Sequence, residues 1–570
     1  MRCNLRKAAI LKVFLLSLVP ATGSGQDFSD GFSNKKAITY SGVLDIRGIG
    51  YAVSGIAPRR SPLSYIISGN ATVTVKGLAL PFSFQFSEQQ RDFRQPFNQF
   101  GVSPTYKWIR VHLGYRSLSY SRYTLDGHQF LGAGIDLTPG KFRFSAMWGR
   151  FLKAVQEDTT KQQQQYNNNF PYAAYDRYGY GIKLGYGTPA NFFDLSFFKA
   201  KDRENSVRNN PVEQYVQPGE NAGIGLRTHL SFLKRLTLDV DAGVSAYTRD
   251  TRADLVSAEE TPLVNFAKGI LTPRVSTSIY YAGDATLQYR DRQFGLALKY
   301  GYILPDYKTM GMYYMQTDVE RVTLIPSFNN KKNTFQVRAS IGKEHDNLQR
   351  KKLARTDRLV GSFNCNISPK PHYGISLSYS NYGITQKPGL KSLSDTTRLD
   401  QVTHSIVATP RYTWQRSSSI HTFVFVFCDQ TLNDNNKLNT QHFNMTTVNN
   451  TLSYSVFLNG SGVGINASAY KVNTKVSVGV TTSTGGTLGL SKNLLKNRLS
   501  SAAGVNYSIN TFAGANDGST LQLNTNHVLA AGRRNRFRAD LVYTLNNSKS
   551  GALNRSFHEL LVTVGYSYQF

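Results

Sequence analysis

From about Thr39 to Phe570 one pattern repeats: a segment of about 8 to 14 residues in which apolar and polar side chains alternate, a connection, then another such segment. Period-two alternation gives a strand one apolar and one polar face. In Tyr106 to Tyr120, Ile109, Val111, Leu113 and Tyr115 share a face against Arg110, His112, Gly114 and Arg116. Gly223 to Phe232 sets Ile224, Leu226, Leu230 and Phe232 against Arg227, His229 and Ser231, and Thr334 to Ile341 sets Phe335, Val337, Ala339 and Ile341 against Gln336, Arg338 and Ser340. No amphipathic helix of convincing length interrupts the series.

The connections alternate as well. Short turns such as Thr138-Pro139-Gly140, Leu233-Lys234 and Asn459-Gly460-Ser461-Gly462 separate longer polar loops: Lys153 to Arg177, Asp202 to Glu220, Arg249 to Arg274, Glu344 to Asp357 and Thr385 to Asp400. A soluble sandwich has no reason to sort its connections by parity, whereas an outer-membrane barrel has short turns at one rim and long loops at the other. Counting from Tyr40 gives 24 to 26 segments, and 26 puts both termini on the short-turn side. An even count closes the sheet antiparallel with no unpaired edge in lipid. The expected fold is therefore all-β: a single large antiparallel transmembrane β-barrel of about 26 strands, occupying residues 39–570. Val43 to Val53 and Glu88 to Gly101 alternate poorly and leave two strands of that count unsettled.

The last strand is the most specific local signal. Leu560, Val562, Val564, Tyr566, Tyr568 and Phe570 alternate with Thr563, Gly565, Ser567 and Gln569 up to a terminal Phe. This resembles the C-terminal strand that bacterial outer-membrane assembly machinery recognises, which makes Tyr566, Tyr568 and Phe570 the expected assembly signal and that machinery an expected partner.

Residues 1–25 have the layout of a secretory signal: basic Arg2, Arg6 and Lys7, an apolar stretch from Ala8 to Val19, then small residues before Gln26. Residues 26–38 would form a short periplasmic segment. Beyond the signal no run of roughly 18 to 20 apolar residues could cross a bilayer as a helix. Losing four basic residues with the signal leaves +26 of the formal net charge of +30. Cys365 and Cys428 are then the only cysteines, too few for a disulfide scaffold.

Two stretches within Ile67 to Phe151, Pro96-Phe97-Asn98-Gln99-Phe100-Gly101-Val102-Ser103-Pro104-Thr105-Tyr106-Lys107-Trp108 and Gly132-Ala133-Gly134-Ile135-Asp136-Leu137-Thr138-Pro139-Gly140-Lys141-Phe142-Arg143, carry a resemblance. They resemble an uncharacterised outer-membrane β-barrel (porin-like) family of Bacteroidota-type bacteria. The resemblance implies location and fold and assigns no functional residues.

The residues offer little chemistry. The ten His show no His-Glu-x-x-His or comparable spacing, so no metal site is expected. His345 with Asp346, and His404 near Asp400, are ordinary neighbours in polar loops, and no enzyme activity, catalytic residue or cofactor is expected. The run Gly485-Gly486-Thr487-Leu488-Gly489 lacks the context of a phosphate cradle and reads as strand glycines. Alternating strands begin within about 20 residues of the expected signal cut, leaving no room for the plug of a TonB-dependent receptor. Basic residues dispersed over strands do not make a nucleic-acid interface.

With apolar faces toward lipid, the candidate lumen-lining residues are Lys76, Arg110, His112, Arg116, Arg143, Arg227, His229, Asp239, Asp241, Arg290, Lys299, Arg338, Arg536 and Arg538. Folding the hairpin about Leu233-Lys234-Arg235 sets Arg227 opposite Asp241 and His229 opposite Asp239. The excess of cations predicts a lumen favouring anions. A second basic group, Lys343, Arg350, Lys351, Lys352, Arg355 and Arg358, could meet lipopolysaccharide phosphates at the outer rim. The function expected is a passive porin-like channel for polar, anionic small solutes in the bacterial outer membrane. The alternative is a non-conducting structural or partner barrel of a secretion, surface-attachment or nutrient-uptake complex.

Overall fold

The structure is a computed structural model and describes residues 38–87, 99–156, 173–207, 216–256, 270–352, 354–388, 400–436, 443–549 and 556–570. Every strand pairs antiparallel with its neighbours in sequence, and the first, Ile38–Ser54, also pairs with the last, Phe557–Gln569. The sheet therefore closes. One wall strand is split into Gln99–Val102 and Thr105–Tyr106, both paired between the same two neighbours. Counting it once gives a barrel of 26 strands. The split falls at Ser103-Pro104, where proline has no N–H to give the ladder.

Closure satisfies the backbone hydrogen bonds that an open sheet would leave bare in hydrocarbon. The seam extends to the terminal residue, with Gly42 N donating to Phe570 O at 3.0 Å and Phe570 N to Gly42 O at 3.1 Å. Apart from the split strand, strands run from 10 to 17 residues, enough to span when tilted. Twenty-six strands about 4.8 Å apart at a tilt near 40° imply a barrel roughly 50 Å across.

The outer face is apolar, as the alternation requires. Leu113, Leu184, Leu298, Leu324, Leu452, Leu488 and Val564 are exposed on it. Large aromatics ring the short-turn end, including Trp108, Phe142, Tyr186, Phe294, Phe328, Tyr373, Tyr412 and Phe537, all exposed. A second set, including Trp148, Tyr180, Tyr281 and Tyr382, lies toward the opposite rim. Such girdles sit at the two membrane interfaces. Together, closure, apolar exterior and paired girdles define an integral β-barrel of the bacterial outer membrane.

The sequence's parity of connections holds for most of the chain, with two exceptions. Ser477-Val478 and Ala513-Gly514 are tight turns on the long-loop side. Glu344 to Asp357 is also a shorter connection than expected, because strands run through His345 and restart at Ala354. The poorly alternating Val43 to Val53 lies within the first strand, whereas residues 88–98 lie outside the described residues.

Candidate functional site: a lumen with two unlike walls

Between the strands Glu220–Phe232 and Ala354–Lys370 the inward face borders a cavity of about 1370 Å³. Its lining carries seven cations, Arg122, Arg227, Arg290, Arg292, Lys299, Arg321 and Arg338, against four carboxylates, Asp239, Asp241, Asp284 and Asp291. Strand register orders the cations by depth. Arg338 and Arg290 lie toward the short-turn rim, Lys299 is opposite Thr323 near mid-wall, and Arg321 is opposite Gly301 one level further up. Arg321 lies across that glycine, where a Cβ would fall 2.8 Å from its Nε. Among the described residues Arg290, Lys299, Arg321 and Arg338 have no ion-pair partner, so their charge is available to a solute, whereas Arg227 faces Asp241 across the register.

Two connections on the long-loop side fold into the lumen against this wall. Residues 120–125 and 304–318 meet through a parallel bridge between Leu125 and Gly311. Tyr307 OH donates to Tyr123 O at 2.5 Å, and Thr309 Oγ1 to Thr124 O at 2.6 Å. Met310 enters a buried cluster with Tyr120, Phe130, Met147, Phe151 and Phe198, and Tyr123 and Tyr307 join Ile303 and Val319 in a second one. This is a packed core inside a barrel, covering the wall it rests on.

The wall supplies the anchors. Asp241 and Asp284 are register neighbours, a cross-strand like-charge pair that is unfavourable alone. The incoming segment relieves it: Ser121 Oγ donates to Asp241, Arg122 N donates to it at 3.1 Å, Arg122 Nη1 lies 3.2 Å from Asp284, and Tyr123 OH donates to Asp284 at 3.0 Å. Asn221, fully buried, accepts from Met310 N at 3.0 Å while its amide donates to Ser245 Oγ at 2.7 Å.

The expected lumen residues divide by environment. The hairpin register pairs Arg227 with Asp241 and His229 with Asp239, and His229 Nδ1 lies 2.5 Å from Asp239 Oδ1. Arg290, Lys299 and Arg338 line the cavity. Arg143 is inward but bound in a bidentate pair with Asp194 at 2.7 and 2.9 Å, so it presents no free charge. Arg110 Nε donates to Thr105 Oγ1 at 3.3 Å and Arg116 Nη1 to Ser83 Oγ at 2.9 Å. Arg536 and Arg538 stand on the inward face of Asn535–Ser548, where Arg538 is 2.6 Å from Asp540. Lys76 is placed differently from the expectation: with Gly77 it makes a two-residue hairpin turn, φ +47° and +85°, at the rim. Sequence reasoning missed Arg321, Arg122 and both infolded segments.

Three of the six residues in the outer basic group are neutralised. Lys352 pairs with Asp318, Arg355 with Asp357 at 3.1 Å and Arg358 with Glu344 at 3.0 Å. Asp318 also accepts from Asn347 N at 3.0 Å and Leu348 N at 2.9 Å, which organises the connection after His345.

His345 closes a strand, 3.3 Å from Glu320, rather than sitting in a loop, and His404 is a strand residue 3.0 Å from Tyr379 OH. Ser103 Oγ, His112 and Asp136 form a chain at 3.1 and 2.9 Å that bridges adjacent wall strands. Among the described residues no group of three or more His, Cys, Asp or Glu is placed to hold a metal.

No family model and no curated protein matches the chain. Several solved structures are distantly similar. OccAB2 of Acinetobacter baumannii is 9% identical with a TM-score of 0.30, over 68% of this chain and 98% of that one. OpdK of Pseudomonas aeruginosa, solved with vanillate, is 10% identical with a TM-score of 0.30, over 70% and 100%. OmpT of Vibrio cholerae is 10% identical with a TM-score of 0.25, over 67% and 99%. Likeness at this level transfers no solute or mechanism.

Proposed function

We propose that the barrel is a passive diffusion channel for polar, preferentially anionic, small solutes. The carrying observation is the wall with Arg290, Lys299, Arg321 and Arg338 facing one cavity without ion-pair partners among the described residues. A pore lined by one sign of charge raises the local concentration of the opposite ion and favours its passage. The infolded segments narrow the path beside these cations, so a solute passes within reach of them. A barrel this wide is not filled by wall side chains alone, since 16 to 18 strands already leave an aqueous channel.

Planar-bilayer recording tests the reading. Correctly folded protein should conduct with an anion preference, and the triple variant R321Q/K299Q/R338Q should lose most of that preference. Absence of conductance at every voltage would remove the channel reading, and unchanged selectivity in the variant would remove these residues from it.

A further inference from the structure

Further round the barrel the wall is built from different chemistry. From Ser419–Asp434 to Asn535–Ser548, inward positions are mostly Ser, Thr, Asn, Gln and Gly, bordering a recess of about 580 Å³. At one depth the register reads Asn466, Gly489, Gly504, Asn524 across four adjacent strands. The two inner positions are glycine for a visible reason. A Cβ at Gly489 would fall on Asn466 Oδ1, and one at Gly504 would sit 2.6 Å from Asn524 Oδ1. Each carboxamide therefore leans over the neighbouring glycine, toward the other, and the two heads converge to about one strand spacing, roughly 5 Å. One level away, Gln522 stands opposite Asn506.

The wall occupies only some of the amide heads in this recess. Asn506 accepts from Tyr470 OH at 3.0 Å, and Asn526 donates to Asp540. By contrast, Asn466, Asn524 and Gln522 have no hydrogen-bond partner among the described residues, and all three are exposed to the lumen. No formal charge lines the recess.

We infer that this glycine-floored recess is a binding site for neutral polyhydroxylated solutes, of the mono- or oligosaccharide class. A carboxamide presents two donors and two acceptor lone pairs in one plane. Two such heads facing each other match the adjacent donor–acceptor hydroxyls of a sugar, whereas an anion gains nothing from them that the cationic wall does not offer more strongly. The glycines contribute by absence, letting the amides lie flat and the solute approach the backbone. The lumen thus offers two routes, a cationic one beside the infolded segments and an uncharged one further round the wall.

Direct binding tests this without depending on conduction. Wild-type barrel in a detergent lacking a sugar head group is titrated calorimetrically with maltotriose and, separately, with gluconate. The expected result is saturable maltotriose binding that weakens at least tenfold in N466A/N524A and in G489A, the latter moving only the Asn466 head. R321Q should leave maltotriose binding unchanged while weakening gluconate. Heat-shifted gel migration verifies folding of each variant. No maltotriose binding to wild type, or equal loss of both ligands in N466A/N524A, overturns the assignment.

Discussion

Single residues in the lumen act as fasteners as much as ligands. Asn221 is the clearest case, fully buried and bonded to both the infolded Met310 and its own wall. Replacing it with alanine removes those bonds and strands buried groups, at a cost of about 1–3 kcal/mol. Because the cost falls on the joint with residues 304–318, N221A should release that segment while the barrel still forms. Single-channel recording should then show larger and noisier conductance. Identical conductance would mean that the segment is held by its apolar packing alone.

Residue-level legibility followed turn chemistry. The pairs Arg227–Asp241 and His229–Asp239 could be read from sequence because the short connection at Leu233 to Arg235 fixes the register of that hairpin. Lys76 was misplaced because Lys-Gly continues the apparent alternation, whereas positive φ at both residues makes it a turn. Arg321 shares the inward face with Thr323 against Val322 and Leu324, but Ile325-Pro326 interrupts the alternation that would mark this strand. In Arg143 the charge was legible and the neutralising Asp194, two strands away, was not.

At the scale of elements, strands were legible and infolded connections were not. Alternation reports on a face with lipid on one side, but a connection that turns inward has no period to display. A compositional trace did exist: three of the chain's six methionines, Met310, Met312 and Met315, lie with Tyr313 and Tyr314 in one short stretch between strands. So many apolar side chains in a polar connection call for cover, and Met310 finds it against Phe198 and Met147.

The connection after His345 yields a pH prediction. Burial alone would raise the Asp318 carboxyl, but Lys352 and the N–H groups of Leu348 and Asn347 hold it below its ordinary value of 3.8. A depressed carboxylate contributes stability above its unfolded pKa and loses it as pH falls through the folded value. Hydrogen-exchange protection at Asn347 and Leu348, measured against the intrinsic rate at each pH, should therefore hold at neutral pH and fall only below about pH 4. D318N should exchange fast at neutral pH; slow exchange there would assign the order of the loop to Asn347, which holds Lys352 N at 3.0 Å.

For the whole molecule, strand number and closure were within reach of the sequence because both follow from counting periods. The two-walled lumen was not, since it depends on where each strand falls round the closed sheet. Closure places a demand on the last residue: Phe570 supplies both backbone bonds to Gly42 and stacks beside Tyr568 at 5.9 Å. We propose that Tyr566, Tyr568 and Phe570 also serve as the signal for assembly. Deleting Phe570 should lower the amount of heat-modifiable barrel in outer membranes while leaving protein refolded in detergent nearly as stable. Equal loss in both settings would make the residue a structural clasp only.

That clasp makes the order of the chain nearly arbitrary once the barrel is shut. The first and last strands are bonded neighbours, so a linker joining the ends at the short-turn rim would create no new topology. New ends could be opened at Ser477-Val478 or Ala513-Gly514, tight turns at the opposite rim on strands well separated in the sheet from both infolded segments. A circularly permuted barrel cut there would keep both walls of the lumen, while its exit from the ribosome would end on a different strand. Permutation thus separates what the closed wall needs in order to stand from what a nascent chain needs in order to be admitted to the membrane.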